Sequence, residues 1–550
     1  MRMLLMLLSI AFVLRIWGIW NIEQTDEFNE VFEALKVDSG NLNFDRWNKK
    51  VLIYILAIEY GIYFGIGWVI GLFHSVSDFA SKIVVDMSPL FIIGRATSAI
   101  FGTAIVFVTY AIGKRLFNRE TGLFAALFLC FNFVHVEHSH LVLVDITMTL
   151  MLTISFYFAT LMMRNGGKRS YYLAGLFAGL AIVAKIPSIF ILVSIGTSHL
   201  IYCRKKSINI KGIFLHKHIL FVIFGIVSGA ILGNPAILLG LPKYLGWLKM
   251  LFGAYRGTSD QIDYWSPING YRFYIVSLYQ NMGLPLFILT ILGLIYFIFK
   301  PKKEVLLLLS FALPFYIFMA NSKWVLTHRY MIPIYPFLSI IAGAFFFEIT
   351  QGLKNRKKLI IIATIFLLVI PVKNVMLFEI SLLQQNTRYW AKEWIEANIP
   401  KGSKILIDAG RTINTSSPPI FNNRKNVLLM INKIEKIEEG KTFDDSRIVD
   451  NRSVIYFKYL LNNLPDITYD LTSTELGRNI KGLEYYRNQG YDYIIISSGI
   501  TWVAWNENWA KKHPVSADFY RSLDQELELI KFFAPSRTRN GPVIKIYKVK

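Results

Sequence analysis

The chain of 550 residues holds only two cysteines, Cys130 and Cys203. Both fall in or beside apolar stretches, which excludes a disulfide framework and CxxC-type metal spacing and leaves the redox compartment unread. There is no internal repeat and no low-complexity tract, so a solenoid or array is excluded. Acids are few: 37 Asp and Glu stand against 59 Lys and Arg, a formal net charge of +22. A basic surplus can signal nucleic acid, but here much of it lies in short runs between apolar segments. That is the positive-inside pattern of a membrane protein, and no nucleic-acid partner is expected. What is abundant is apolar, at 54% of residues and a mean hydropathy of +0.43. A water-soluble chain of this size would expose too much of that surface, so the lipid bilayer is the first partner expected. No small-x-small cleavage pattern follows Arg2 and the apolar run 3–20, and that run is expected to be a retained helix.

Apolar stretches of about bilayer length recur to about Pro371. The basic runs between them are Lys114/Arg115/Arg119, Arg164/Lys168/Arg169, Arg204 to Lys217, Lys300/Lys302/Lys303 and Lys354 to Lys358. An even number of crossings separates each successive pair, so all of these runs share one side, the cytoplasmic one. Residues 121–136 and 171–185 are short for full spans. The run 90–112 must end inside at Lys114, and residues 21–50 lie outside, so parity places the apolar stretch 51–73 in the outer interface or as a re-entrant element. The expectation is a polytopic α-helical membrane protein of about 11 transmembrane helices over residues 1–377, with an outer loop at 21–89. From 378 to 550 the pattern changes to an amphipathic helix, Thr387–Asn398, and two β-like runs, 404–407 and 491–496. This reads as a C-terminal soluble α/β domain on the extracytoplasmic side.

Ionisable groups within or beside membrane segments are costly and usually functional. The topology gathers several at the outer rim. Asp26 and Glu27 follow the first helix, and Arg95 lies near the outer start of 90–112. His138, His140 and Asp145 sit at one outer turn, and Lys185 at the tip between two short segments. Asn234-Pro235 ends another helix, while Lys323, His328 and Arg329 bracket a further turn. Sugar transfer from a phosphate-linked lipid needs a base or a metal-bound acid to activate the acceptor, and cations for the departing phosphate. Asp26 and Glu27 suit the first task; Lys185 and Arg329 suit the second. Plainer readings stand beside these. Asp26-Glu27 is also an acidic loop, Asp145 also a helix cap, and Lys185 and Arg329 also snorkelling cations. Arg15, inside the first helix, can pair with acids or headgroups. His135, Glu137, His138 and His140 meet no zinc spacing rule, so a polar turn is the simpler account.

Six stretches, in order, resemble a known family: "LRIWGI…TDE", "GRATSAIFGTAIVFVTYAIGKRLF", "EHSHLVLVDITMTL", "GLFAGLAIVAKIPSIF", "HRYMIPIYPFLSIIAG" and "NTRYWAKEWIEANIPKGSKILID". They touch most of residues 1–410 and are similar to GT-C glycosyltransferases, in the family 39-like branch of protein O-mannosyltransferases and lipid A aminoarabinose transferases. The resemblance implies a GT-C-like membrane domain and inverting transfer from a polyprenyl-phosphate sugar, dolichyl or undecaprenyl, to a protein, lipid or glycan acceptor. It implies Asp26 as base or acceptor-positioning acid, Glu27 as its neighbour and Asp145 as a second acid. Lys185, Arg329 and Arg95 would face the donor phosphate, with His138, His140 and Tyr330 as further substrate-binding candidates. A divalent cation is a candidate cofactor with no ligand set identified. The first loop departs from the family in reading Phe44-Asp45-Arg46-Trp47-Asn48-Lys49-Lys50-Val51 where Pro-Leu is usual. No WWD motif is present, and the chain is too short for β-trefoil repeats. The alternative reading is a polytopic transporter or lipid-linked sugar flippase. Transporters place polar sites near the midplane between repeated halves, whereas here the charges crowd one end and no halves repeat.

Overall fold

The computed structural model describes residues 2–22, 27–38, 50–256, 269–322, 326–409, 416–439, 451–475, 477 and 479–549. The chain forms two compact units: Met1–Ile22, Asp26–Gly61 and Leu90–Glu379 make the first, and Glu23–Thr25, Ile62–Pro89 and Ile380–Lys550 the second.

The first unit is helical. It opens with α1 (Arg2–Ile16), α2 (Glu27–Asp38) and the first part of α3 (Lys50–Val69). The second unit takes the end of α3 and α4 (Val76–Val85). Then α5 (Ser88–Leu116) runs down to Lys114 and Arg115 in its last turn, where cations suit the negative end of a helix. Next come α6 (Arg119–Cys130), α7 (Phe133–His138), α8 (Val144–Asn165) and α9 (Lys168–Ala184). Asn118 and Asn132 cap α6 and α7 by accepting from the amides of Thr121 and His135, and Gly166 stops α8 in the left-handed region at φ 65°. A 3-10 turn, Ile186–Phe190, leads into α10 (Ile191–Lys205), followed by α11 (Ile210–Phe214), α12 (His218–Gly233) and α13 (Ile237–Arg256). The helices α14 (Gly270–Met282) and α15 (Leu284–Phe299) meet at 117°. After α16 (Lys303–Asn321) and a second 3-10 turn, His328–Ile334, come α17 (Tyr335–Thr350) and α18 (Arg356–Ser381).

Among the described residues, eight helices are long and apolar enough to cross a bilayer, or up to nine if α14 and α15 form one broken span. The chain is thus an integral membrane protein. Three expected crossings are short elements: α1 has 15 residues, α6 and α7 have 12 and 6, and α9 has 17. The stretch placed in the outer interface by parity falls mostly in α3, whose 20 residues also suit a crossing by length and composition.

One seam in this unit is closed by main chain alone. Gly175 and Gly179 of α9 face Val222 O and Ile226 O of α12, while Gly225 and Gly229 of α12 face Tyr172 O and Leu176 O of α9. A Cβ at any of the four would run into the opposing carbonyl. This is the small-xxx-small packing of membrane helices. It brings α9 and α12 to backbone contact and so fixes where α9 ends.

The C-terminal part of the second unit carries a five-stranded sheet in the order β2-β1-β3-β5-β4, formed by β1 (Lys404–Ile407), β2 (Asp470–Ser473), β3 (Tyr493–Ser497), β4 (Glu528–Phe533) and β5 (Ile544–Lys548). β1 pairs parallel with β2 and β3, and β5 pairs antiparallel with β3 and β4. The α/β character expected from the sequence is therefore present. The expected strand at 404–407 is β1, and Thr387–Asn398 is the expected helix. Apolar side chains of both strand types, among them Ile405, Ile407, Ile495 and Ile546, are buried with Ala391 and Ile395 of that helix. Asp408, at the carboxyl end of β1, is fully buried. It accepts from Tyr520 OH at 2.6 Å, Ser497 N at 3.0 Å and Thr474 Oγ1 at 3.0 Å. Burial outweighs these donors and pushes its carboxyl up to about 6.

Candidate active site

The turn that joins α7 to α8 organises the first unit's polar groups. Its amide at Val142 donates to Glu27 Oε1 at 2.8 Å. Arg95 of α5 grips the same carboxylate from the other side, Nε to Oε1 at 2.9 Å and Nη2 to Oε2 at 2.8 Å, and its Nη1 donates to Ile19 O at 2.8 Å. Glu27 is fully buried and Arg95 nearly so. This bidentate, charge-assisted pair ties α2, α5 and the turn together. Arg95, expected at the donor phosphate, is instead committed to Glu27. The sequence held no sign of that partnership, since the two lie 68 residues apart.

Two residues beyond the turn, α8 begins. Leu143 holds its N-cap position without a side-chain cap bond, so Asp145 is not the cap that the plainer reading made it. Its carboxylate, 2% exposed, accepts from Lys185 Nζ at 2.6 Å. A carboxylate in a first helical turn also benefits from the positive end of the helix. Lys185 is the residue where α9 stops, in extended backbone ahead of Pro187. Its ammonium lies 4.2 Å from the centre of the Tyr330 ring, a cation–π distance. Arg329, also over Tyr330 at 5.8 Å, faces Asp145 electrostatically, as does His138. Asp145, Lys185 and Tyr330 line a small pocket with Met148, Pro187, Phe315 and Met319.

Of the residues expected at the site, the structure thus brings Asp145, Lys185, Arg329, Tyr330 and His138 together, and couples Glu27 with Arg95 separately. Asp26 and Lys323 lie outside the described residues. His140 turns away from the cavity, with its ring nitrogens 2.9 Å from Val136 O and 3.0 Å from Trp17 O. His138 Nδ1 lies 3.1 Å from Val134 O, and His135 faces Arg15, so the histidines do not converge. Among the described residues no group of three His, Cys, Asp or Glu is arranged to hold a metal ion. Sequence reasoning missed Met148, Phe315 and Met319, whose apolar side chains gave no signal apart from the core. It also missed Tyr255, which faces both Asp145 and Tyr330.

Residues 64–230 match the family described as dolichyl-phosphate-mannose-protein mannosyltransferase. The crystal structure of ArnT from Cupriavidus metallidurans bound to undecaprenyl phosphate is similar over 99% of this chain and 97% of that one, at 11% identity and a TM-score of 0.51. The chain has the GT-C fold. The Archaeoglobus fulgidus oligosaccharyltransferase, in complex with zinc and sulfate, aligns over 98% of this chain and 72% of its own length, at 12% identity and a TM-score of 0.47. Among curated proteins, no sequence matches this chain.

Proposed function

We propose that this chain is a glycosyltransferase that moves a sugar from a polyprenyl-phosphate donor to an acceptor on the extracytoplasmic face, with inversion, and that the C-terminal domain lies on that same face. The observation that carries the reading is the Asp145–Lys185 pair beside Tyr330, at a cavity whose remaining walls are apolar. The Lys185 side chain is 18% exposed, lines the pocket and meets the Asp145 carboxylate at 2.6 Å. A lipid phosphate offers the ammonium a stronger anionic partner, and Arg329 adds a second cation. Met148, Phe315 and Met319 suit the prenyl chain next to the phosphate.

In the transfer step, an acceptor hydroxyl or amide attacks the anomeric carbon from the face opposite the phosphate, and the carbon–oxygen bond to phosphate breaks. The acceptor proton passes to the Asp26 carboxylate, and the phosphate leaves carrying the bonding electron pair, its charge met by Lys185 and Arg329. Glu27, next to Asp26 in sequence and locked to Arg95 and Val142, anchors the backbone that presents the base. The test is Asp26→Asn in membranes supplied with labelled polyprenyl-phosphate sugar. Transfer is expected to fall about a thousandfold with insertion unchanged, and full activity in that variant would refute the assignment.

A further inference from the structure

Four ionisable side chains that the transfer step does not use meet behind the turn carrying Val142 and Asp145. Arg15, in the last turn of α1, is fully buried. Its Nη1 donates to Ala11 O at 2.9 Å, and its Nη2 lies 3.0 Å from His135 Nδ1. Both of its terminal nitrogens also reach Cys130 O at 3.4 Å, where α6 ends. Glu379, near the end of α18, is 7% exposed, and neither carboxylate oxygen has a hydrogen-bond partner. Its Oε1 lies 3.8 Å from His140 Nε2, and its charge faces Arg15. The preceding residue, Phe378, packs edge-on against the His140 ring at 5.1 Å and against Phe133 at 5.9 Å.

A buried carboxylate without hydrogen bonds is costly unless a charge nearby repays it. Here the charge that can repay it is Arg15, with His140 Nε2 beside the carboxylate. The cluster grips α7 and its turn from both sides: Arg15 of α1 and the carbonyl of Trp17 just after it, Phe378 and Glu379 from α18. The same turn is pinned at Val142 by Glu27, which Arg95 holds in turn. The segment that aims Asp145 at Lys185 is therefore positioned by α18 as well as by α1 and α5.

We infer that Glu379 is a positioning residue for transfer, acting through His140 and Arg15 on the turn that sets Asp145. The positioning role in catalysis rests on the function proposed above; the hold on the turn does not. The full-length protein in lipid nanodiscs gives two arms. In Glu379→Gln, amide hydrogen exchange in the peptide spanning 138–145 is expected to quicken about tenfold, with α16 and α17 unchanged. Transfer kcat is expected to fall about tenfold to a hundredfold with the donor KM within about twofold. Glu379→Asp should recover part of that loss, and adding His140→Asn to Glu379→Gln should cost little more. Unchanged exchange and kcat would overturn the inference, as would faster exchange throughout the unit, which marks general destabilisation. Should Glu379→Gln fail to fold, His140→Gln removes the other end of the contact and is read by the same two arms. If the unmodified protein transfers nothing from any polyprenyl-phosphate sugar, the proposed function fails, while the exchange arm still decides whether Glu379 holds the turn.

Discussion

Two ion pairs flank one turn in this protein, and they are built differently. Glu27 and Arg95 are closed: both guanidinium edges are used, both carboxylate oxygens are filled, and a backbone amide and a backbone carbonyl complete the set. Asp145 and Lys185 line a pocket, joined through a short contact, with the ammonium resting on an aromatic face and its side chain 18% exposed. A saturated buried pair has nothing left to offer a ligand and serves to hold backbone in place. A pair whose cation is partly exposed and lines a pocket can exchange partners when an anion arrives. Charge alone does not separate the two; access of the cation to a pocket does.

That contrast can be broken from either end. Lys185→Met should lower transfer at least a hundredfold while the melting temperature in detergent stays within a few degrees, because the methionine keeps the apolar stem and loses only the cation. A variant of equal activity would erase the distinction. Glu27→Gln should do the opposite. It leaves Arg95 buried without its counter-charge, and about 3–5 kcal/mol of stability is expected to go, seen as early thermal unfolding, with activity tracking the folded fraction. The α9–α12 seam is a purely steric control with no charge in it. Gly229→Ala should cost about 1–3 kcal/mol by the same melting assay, since a methyl there meets Leu176 O.

The smallest effect is sought in the other unit. Burial raises Asp408 from 3.8 to about 6, so the folded state binds its proton more tightly than the unfolded chain does. Its contribution is fully present below pH 3.8 and is lost as pH rises through about 6. The C-terminal unit should therefore lose on the order of 1 kcal/mol between pH 4 and 7 through this group, and Asp408→Asn should flatten that part of the melting profile. A variant with the same slope as the parent would remove Asp408 as its source.

How much of this could be read from residues alone depended on the range of the signal. Basic runs such as Lys300/Lys302/Lys303 and Lys354 to Lys358 are local, and from them parity placed Asp145, Lys185 and Arg329 at one rim, where the structure brings them together. The helix Thr387–Asn398 and the strand Lys404–Ile407 were equally plain, because amphipathic and β-branched patterns are local too. Pairing across distance was not legible. Arg95 carries no mark of its bond to Glu27, so it was assigned to the phosphate instead. Nor do Gly175/Gly179 and Gly225/Gly229 announce each other, although each four-residue spacing is visible once the partner is known. Strands β2, β4 and β5 were overlooked: Asp470–Ser473 is four residues without apolar alternation, while the alternation in Ile544–Lys548 is a strand signal that went unread. At the stretch 51–73 length and parity point apart, since α3 has the 20 residues that a crossing needs.

The glycine seam has a consequence for how this protein meets membranes of differing thickness. At the four glycines α9 and α12 meet backbone to backbone, so the two behave as a single stiff strut. A thinner or thicker bilayer would tilt that strut as a whole. Lys185, fixed to its upper end, would swing relative to Asp145 on α8, and lipid composition would then tune turnover by altering the angle of approach.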